Sequence, residues 1–230
     1  MNRRNFLHNT LAGTAGLYLG QGMLSGCVPG HDPLHDFGII TIGVQNMMRE
    51  DHRATMTLLA EMGYKYLEFG GTWDEEPDAL KRFMDGIGLV PLAGGDSIAN
   101  MQGDDLLASI DESLALGKKY LVCYWPWMGD PLEPTWDMVK FAVDEFHTIG
   151  EHCKKKGLRF AVHNHYHEFQ VLDDQVIYDY ILENTDPELV TMEVDLYWAR
   201  KGGANITKYF EKYPGRFELV HVKDSYDSPD

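Results

Sequence analysis

The chain has 230 residues, 44% of them hydrophobic and 12% aromatic, which is ample core material for one globular domain. Its formal charge of −16 repels polyanions and excludes a protein that grips nucleic acid through Lys and Arg on phosphates. The same charge weighs against phosphorylated substrates and favours neutral ones.

At the N-terminus, Asn2-Arg3-Arg4-Asn5-Phe6-Leu7 sets two arginines before Phe and Leu, and Leu11 to Leu24 is mildly apolar, Gly-rich and free of charge. That layout is a twin-arginine export signal. Its Gly, Thr and Gln interruptions make it a poor membrane span. It ends in Leu24-Ser25-Gly26-Cys27, which is similar to a bacterial lipobox with Cys27 as the lipid-modified first residue of the mature chain. Residues 1–26 are therefore expected to be a signal peptide, 27–36 a tether and 37–230 the folded domain. Loss of Arg3 and Arg4 with the leader takes the charge from −16 to −18. The expected location is the periplasmic face of a bacterial membrane, with the lipid anchor as the sole membrane contact. Export of a folded chain also protects metal choice, because oxygen-rich sites hold Mn²⁺ more weakly than Cu²⁺ or Zn²⁺.

Further along, a unit recurs: a helix ending at Gly, two or three residues, then an apolar strand. Gly63, Gly88, Gly117, Gly157 and Gly215 each open one, since glycine takes the left-handed conformation that ends a helix at little cost. Between them, Val139, Ala142, Val143, Phe146, Ile149 and Cys153 recur at helical spacing in 136–156, with Lys154, Lys155 and Lys156 at the end where cations suit the dipole. Leu106, Ile110 and Leu114 mark the same stripe in 104–116. Strands are expected near 38–44, 65–70, 89–93, 119–125, 159–165, 190–196 and 217–223. Cys123 falls in a strand and Cys153 on the core side of a helix, so two buried thiols fit better than a disulfide.

Strands alternating with helices imply a parallel sheet covered by helices. After the first strand, Gln45-Asn46-Met47-Met48 is no phosphate-binding turn, which argues against a doubly wound sheet. The fold class expected is α/β, a TIM (β/α)8-type barrel truncated after its seventh strand.

Three segments carry the chemistry: Phe160 to Phe169 (FAVHNHYHEF), Val190 to Trp198 (VTMEVDLYW) and Glu218 to Asp224 (ELVHVKD). Each is an apolar strand whose C-terminal end turns into His, Glu, Asp or Lys, and the C-terminal face is where such barrels carry their sites. By alternation His163 pairs with His165, Glu193 with Asp195, and His221 with Lys223. Glu168 lies in the loop beyond the fifth strand. Carboxylates and imidazoles without thiolate suit one divalent metal, Mn²⁺, Mg²⁺, Co²⁺ or Zn²⁺. Such a metal holds both oxygens of a hydroxy-carbonyl sugar and stabilises the enediolate left when a base removes the carbon-bound proton.

On His163-Asn-His-x-x-Glu-Phe169, Glu193-Val-Asp195 with Tyr197 to Lys201, and His221-Val-Lys-Asp224, residues 36–230 resemble the xylose isomerase-like barrels, the sugar phosphate isomerases/epimerases. The resemblance implies one divalent metal held by Glu, Asp, His and Glu from strands five to eight. Asp195 and His221 match the second and third ligands. The first is His163 or Glu168, with Glu168 preferred, and the fourth belongs on an eighth strand. His163, His165, Glu193 and Lys223 are then the catalytic candidates. Glu68, Trp125, Trp198 and Arg200 are the substrate contacts, with Trp127 beside Trp125 as a second stacking surface.

The function expected is a metal-dependent isomerase or epimerase on a neutral sugar or keto-sugar. The alternatives are a lyase or dehydratase using the same site, and a non-catalytic sugar-binding lipoprotein. An endonuclease-like reading is poor, because position 198 is Trp where those enzymes place His. The partners are a small sugar and a membrane through lipid, with oligomerisation left open. Cells fed a fatty-acid analogue are expected to label the wild-type chain and leave Cys27→Ser unlabelled; equal labelling of both would remove the lipobox reading.

Overall fold

A computed structural model describes residues 37–129 and 133–223, all within one unit. The expected export signal, Cys27 with its expected lipid, the expected tether and Asp224 lie outside the described residues. In chain order the strands are β1 (Gly38–Ile40), β2 (Tyr66–Glu68), β3 (Val90–Ser97), β4 (Tyr120–Trp125), β5 (Arg159–His163), β6 (Val171–Leu172), β7 (Gln175–Val176), β8 (Val190–Asp195) and β9 (Phe217–His221). The helices are α1 (Gln45–Glu61), α2 (Pro77–Ile87), α3 (Gly103–Leu116), α4 (Trp136–Lys156), α5 (Ile177–Glu183), α6 (Leu196–Lys201) and α7 (Ile206–Lys212). Seven strands form one sheet in the order β1-β2-β3-β4-β5-β8-β9, and every neighbouring pair is parallel. Among the described residues this is a TIM-type barrel with one strand fewer than closure requires. Along the gap between β1 and β9 runs a trough of about 580 Å³, lined from both edges by Gly38, Ile40, Leu219 and Val222.

Which side chains point inward follows from alternation. Leu121 and Cys123 of β4, Phe160 and Val162 of β5, and Val190 and Met192 of β8 pack outward with Val139, Phe146 and Ile149 of α4. Tyr120, Val122 and Tyr124, Ala161 and His163, and Thr191, Glu193 and Asp195 must therefore point into the barrel. Ala93, Val122 and Ala161 fill its centre with Leu219. A second outer core, built on Leu59, Leu67, Leu80 and Met84, packs α1 and α2 against β2. Every residue of β8 is buried, as expected of a central parallel strand covered on both faces.

The five helix-ending glycines all have positive φ, from 76° to 96°. Cys123 and Cys153 are buried and unpaired. Two local expectations are corrected. The first strand stops at Ile40, because Thr41–Val44 turns into a 3-10 helix leading into α1. β3 runs on to Ser97 instead of ending near residue 93. Its Gly94 and Gly95 let neighbouring backbones approach so closely that an added β-carbon would stand 1.7 Å from the Phe69 oxygen or 2.0 Å from the Val122 oxygen. The antiparallel hairpin β6–β7 is too short to leave a period in the sequence. Asp51 interrupts α1 with φ −156° and ψ 93°, and its carboxylate accepts from the Ala54 N–H at 2.9 Å, so the helix restarts there. The first part of α1 is thereby set over the barrel mouth. Among the described residues no helix is long and apolar enough to cross a membrane.

Candidate metal and substrate site

At the C-terminal end of the sheet, β5, β8 and β9 bring three ligand-type side chains together. One donor atom each from His163, Glu193 and His221 lies within 4.8 Å of the others. His163 Nδ1 is 3.1 Å from Glu193 Oε2, and His221 Nε2 is 3.5 Å from Glu193 Oε1. A register shift between Met192 and Glu193, where β8 meets β9, helps aim these groups, as bulges beside sites do. Asp195 adjoins the trio, its Oδ2 standing 3.8 Å from His163 Nε2 and 3.7 Å from His221 Nδ1.

Both carboxylates on β8 have no exposed surface, so each needs compensation. Asp195 obtains it locally: Oδ1 accepts from the Trp198 N–H at 3.0 Å and caps α6, while Lys223 Nζ stands 2.5 Å from Oδ2. Burial pushes its pKa up, but His221 and Lys223 outweigh that and hold the carboxyl well below the usual range. Glu193 has only imidazoles. Burial, then the neighbouring Glu68, raises its pKa. Burial likewise lowers His163 and takes His165 down to about 4, so both rings are neutral at pH 7. His221 is the exception. Burial lowers it, but Asp195, Glu68 and Glu193 prevail and raise it to about 10.

A divalent metal fits these residues. Glu193 Oε1 and His221 Nδ1 are buried without a hydrogen-bond partner among the described residues, and a carboxylate with two imidazoles is a borderline donor set. The expected ligand pair of Asp195 and His221 thus meets at the mouth, and Glu193 joins it; Asp195 Oδ2, like Glu193 Oε1, is without a hydrogen-bond partner among the described residues, though Lys223 Nζ stands 2.5 Å from it. Glu168, expected as first ligand, is not in the trio. Its Oε2 accepts from the His165 N–H at 2.7 Å, and the group is buried beside Cys123 and Tyr178. The 3-10 turn at His167–Phe169 carries this side chain under the loop rather than over the mouth.

Above the trio opens a cavity of about 510 Å³, lined by Tyr124, His163, His165, Trp198, His221 and Lys223 among others. Of the expected substrate contacts, Trp198 is on this wall, its ring centroid 5.3 Å from that of His165. Glu68, Trp125 and Arg200 are not among the lining residues. Glu68 instead accepts from Tyr124 Oη at 2.9 Å and holds His221 Nε2 at 2.9 Å, so it orients the ring. The Trp125 indole N–H donates to the Gly129 oxygen at 2.7 Å and its ring packs on His165 and His167. Trp127 is fully buried in the outer core, and Arg200 is exposed at the end of α6.

Some functional-site residues had no sequence signal. Asn164 donates through Nδ2 to the Asp195 oxygen at 3.3 Å and accepts from the Asp195 N–H at 3.0 Å, locking the end of β5 to β8. Its place between two histidines was the available hint. Trp73 also lines the cavity. It and Asp74 are left-handed, with φ of 52° and 63°, a strain of about 1–3 kcal/mol each. His52 stacks on the Trp73 ring at 5.4 Å, and Glu75 fixes the turn by binding both Arg53 and His52.

The comparisons agree with this fold. A family model described as xylose isomerase-like TIM barrel matches residues 56–230. The inosose dehydratase of Geobacillus kaustophilus (strain HTA426) is 26% identical over 188 residues, covering 72% of this chain and 59% of that protein; the chain thus spans under two thirds of that relative. A sugar phosphate isomerase/epimerase from Parabacteroides distasonis ATCC 8503 superposes with a TM-score of 0.72 at 25% identity, over 90% of this chain and 81% of the other. An IolI protein with a bound zinc atom superposes with a TM-score of 0.65 at 15% identity, over 84% and 74%, which shows the shared fold.

The buried Glu168 yields a pH prediction. Burial raises its pKa from 4.5 to about 7, so the folded state holds the extra proton and stability falls as pH rises from about 4.5 to 7. Gln keeps the acceptor for the His165 N–H without the titration. Glu168→Gln should therefore be more stable than wild type at pH 8, by on the order of 1–3 kcal/mol, and lose that advantage near pH 4. Thermal melts at both pH values check it; a pH-independent difference would contradict the assignment.

Proposed function

We propose that this chain, which belongs to the xylose isomerase-like TIM barrel family, is a divalent-metal-dependent enzyme that isomerises or epimerises a sugar or keto-sugar by moving a proton beside a carbonyl. The observation that carries this reading is the convergence of His163, Glu193 and His221, with unpartnered buried donor atoms, at the floor of a cavity sized for one small molecule. When bound there, the metal supplies Lewis-acid polarisation of the substrate oxygens. His163, Glu193 and His221 would hold it, with Asp195 beside them.

The chain's own residues divide the remaining work. Of the bases on the cavity wall, Lys223 is tied to Asp195 and Tyr124 donates to Glu68. His165 is the base on the wall that lies outside the trio and is held neutral by burial, so it is assigned the carbon-bound proton. Lys223, fixed 2.5 Å from Asp195, faces the same cavity and is placed to donate to a substrate oxygen. Trp198 and Trp73 bound the cavity laterally and give a sugar ring apolar surfaces. The Asn164 clamp and the α6 cap keep Asp195 still while these steps occur.

A second reading shares the first step: elimination of water after the same proton abstraction, which the relation to inosose dehydratase supports. The twin-arginine-like layout of residues 1–26 and Cys27 support a reaction at a periplasmic membrane surface, on sugars or keto-sugars free there.

In D₂O with Mn²⁺ supplied, the chain is expected to wash deuterium into the carbon beside the carbonyl of a keto-sugar, and His165→Ala should slow this by about 10²–10⁴-fold. Tight metal and sugar binding with no exchange on any keto-sugar tested would favour the binding-protein alternative.

A further inference from the structure

The cavity wall does not share the charge of the chain. The sequence carries −16 overall, yet no Asp or Glu is among the described residues lining the cavity. Its permanent charges are Arg49 and Lys223, both positive. Of the carboxylates beneath the floor, Asp195 is paired with Lys223, Glu68 with Tyr124 and His221, and one oxygen of Glu193 with His163.

Arg49 differs from Lys223 in having no partner among the described residues. Around it, Arg53 is committed to Glu75, while Arg49 makes no hydrogen bond or ion pair with any described residue. It stands just before the break of α1 at Asp51, on the part of that helix set at the mouth. Gln45, one turn earlier on the same helix, also lines the cavity, so the two side chains share one wall. A guanidinium offers two parallel N–H donors suited to a planar anion.

We infer that the substrate is a monoanion, a sugar or keto-sugar bearing a carboxylate, whose carboxylate is held by Arg49 with Gln45 beside it. The sugar scaffold rests on the function proposed above; the charge rests on the cavity wall alone. One uncommitted cation balances one negative charge, which favours a carboxylate over a phosphate dianion. This replaces the neutral substrate expected from the net charge, because that charge sits outside the cavity rather than on its wall.

The test is binding without turnover, read by calorimetry on the metal-free full chain. Three uronates (D-glucuronate, D-galacturonate and D-mannuronate) are compared with glucose, galactose and mannose, and with their 6-phosphates. At least one uronate should bind about tenfold tighter than its neutral counterpart, a difference of about 1.4 kcal/mol. Arg49→Met should abolish that margin while leaving binding of the neutral sugar unchanged, and Arg49→Lys should restore part of it. Uronates binding no better than neutral sugars, 6-phosphates binding best, or a margin that survives Arg49→Met would each overturn the inference. Deuterium exchange on neutral keto-sugars separates the two claims: if it proceeds while uronates show no preference, the proposed reaction stands and the carboxylate assignment falls.

Discussion

The site depends on two carboxylates, Glu193 and Asp195, buried without exposed surface at the end of one strand. Such groups are tolerated only when charge or hydrogen bonds replace their lost water. On Asp195 the compensation is a helix cap on one oxygen and the Lys223 charge beside the other, which has no hydrogen-bond partner among the described residues. On Glu193 it is two imidazoles nearby, with one oxygen left without a donor. The difference in charge partners assigns the roles, a lysine on Asp195 and imidazoles alone on Glu193. Asp195 organises α6 and Lys223, while Glu193 keeps an oxygen available for a cation.

Around this pair the rest of the fold acts as positioning. The outward packing of Leu121, Cys123, Phe160, Val162, Val190 and Met192 on α4 fixes which residues of β4, β5 and β8 face inward. A one-residue slip on any of these strands would exchange its faces and take Tyr124, His163 or Glu193 out of the site. Glu68 orients His221 from across the mouth, and Tyr124 steadies Glu68 in turn. The result is a layered system in which β2, β4, β5, β8 and β9 each contribute a group to one polar network.

Much of this was legible in the sequence because strand ends carry their chemistry in a short, ordered stretch. The apolar runs before His163, Glu193 and His221 announced parallel strands, and glycines after helices marked the repeat. Side-chain direction beyond a strand end was not legible. Glu168, five residues past His163, turned under its loop because a 3-10 turn intervenes. The reach of β3 was hidden because Gly94 and Gly95 carry no apolar signal; their value lies in how closely other backbones approach them. Arg49 and Trp73 were missed for a related reason. They enter the cavity from a broken helix and from a strained turn, neither of which has a period to read. Net charge does not report the cavity wall, where Arg49 and Lys223 stand and no Asp or Glu is among the described lining residues.

The central claim is that His163, Glu193 and His221 form a divalent-metal site, and calorimetric titration of the metal-free chain with Mn²⁺ and Zn²⁺ near pH 7 tests it most directly. His221, raised to about 10 without metal, must lose its proton to become a ligand. One ion per chain is therefore expected, with proton release visible as heats that change with the ionisation enthalpy of the buffer. Affinity should fall in Glu193→Gln by more than the about 10–100-fold typical of losing an outer-shell partner. Binding that releases no proton and is unaffected by Glu193→Gln would contradict the account.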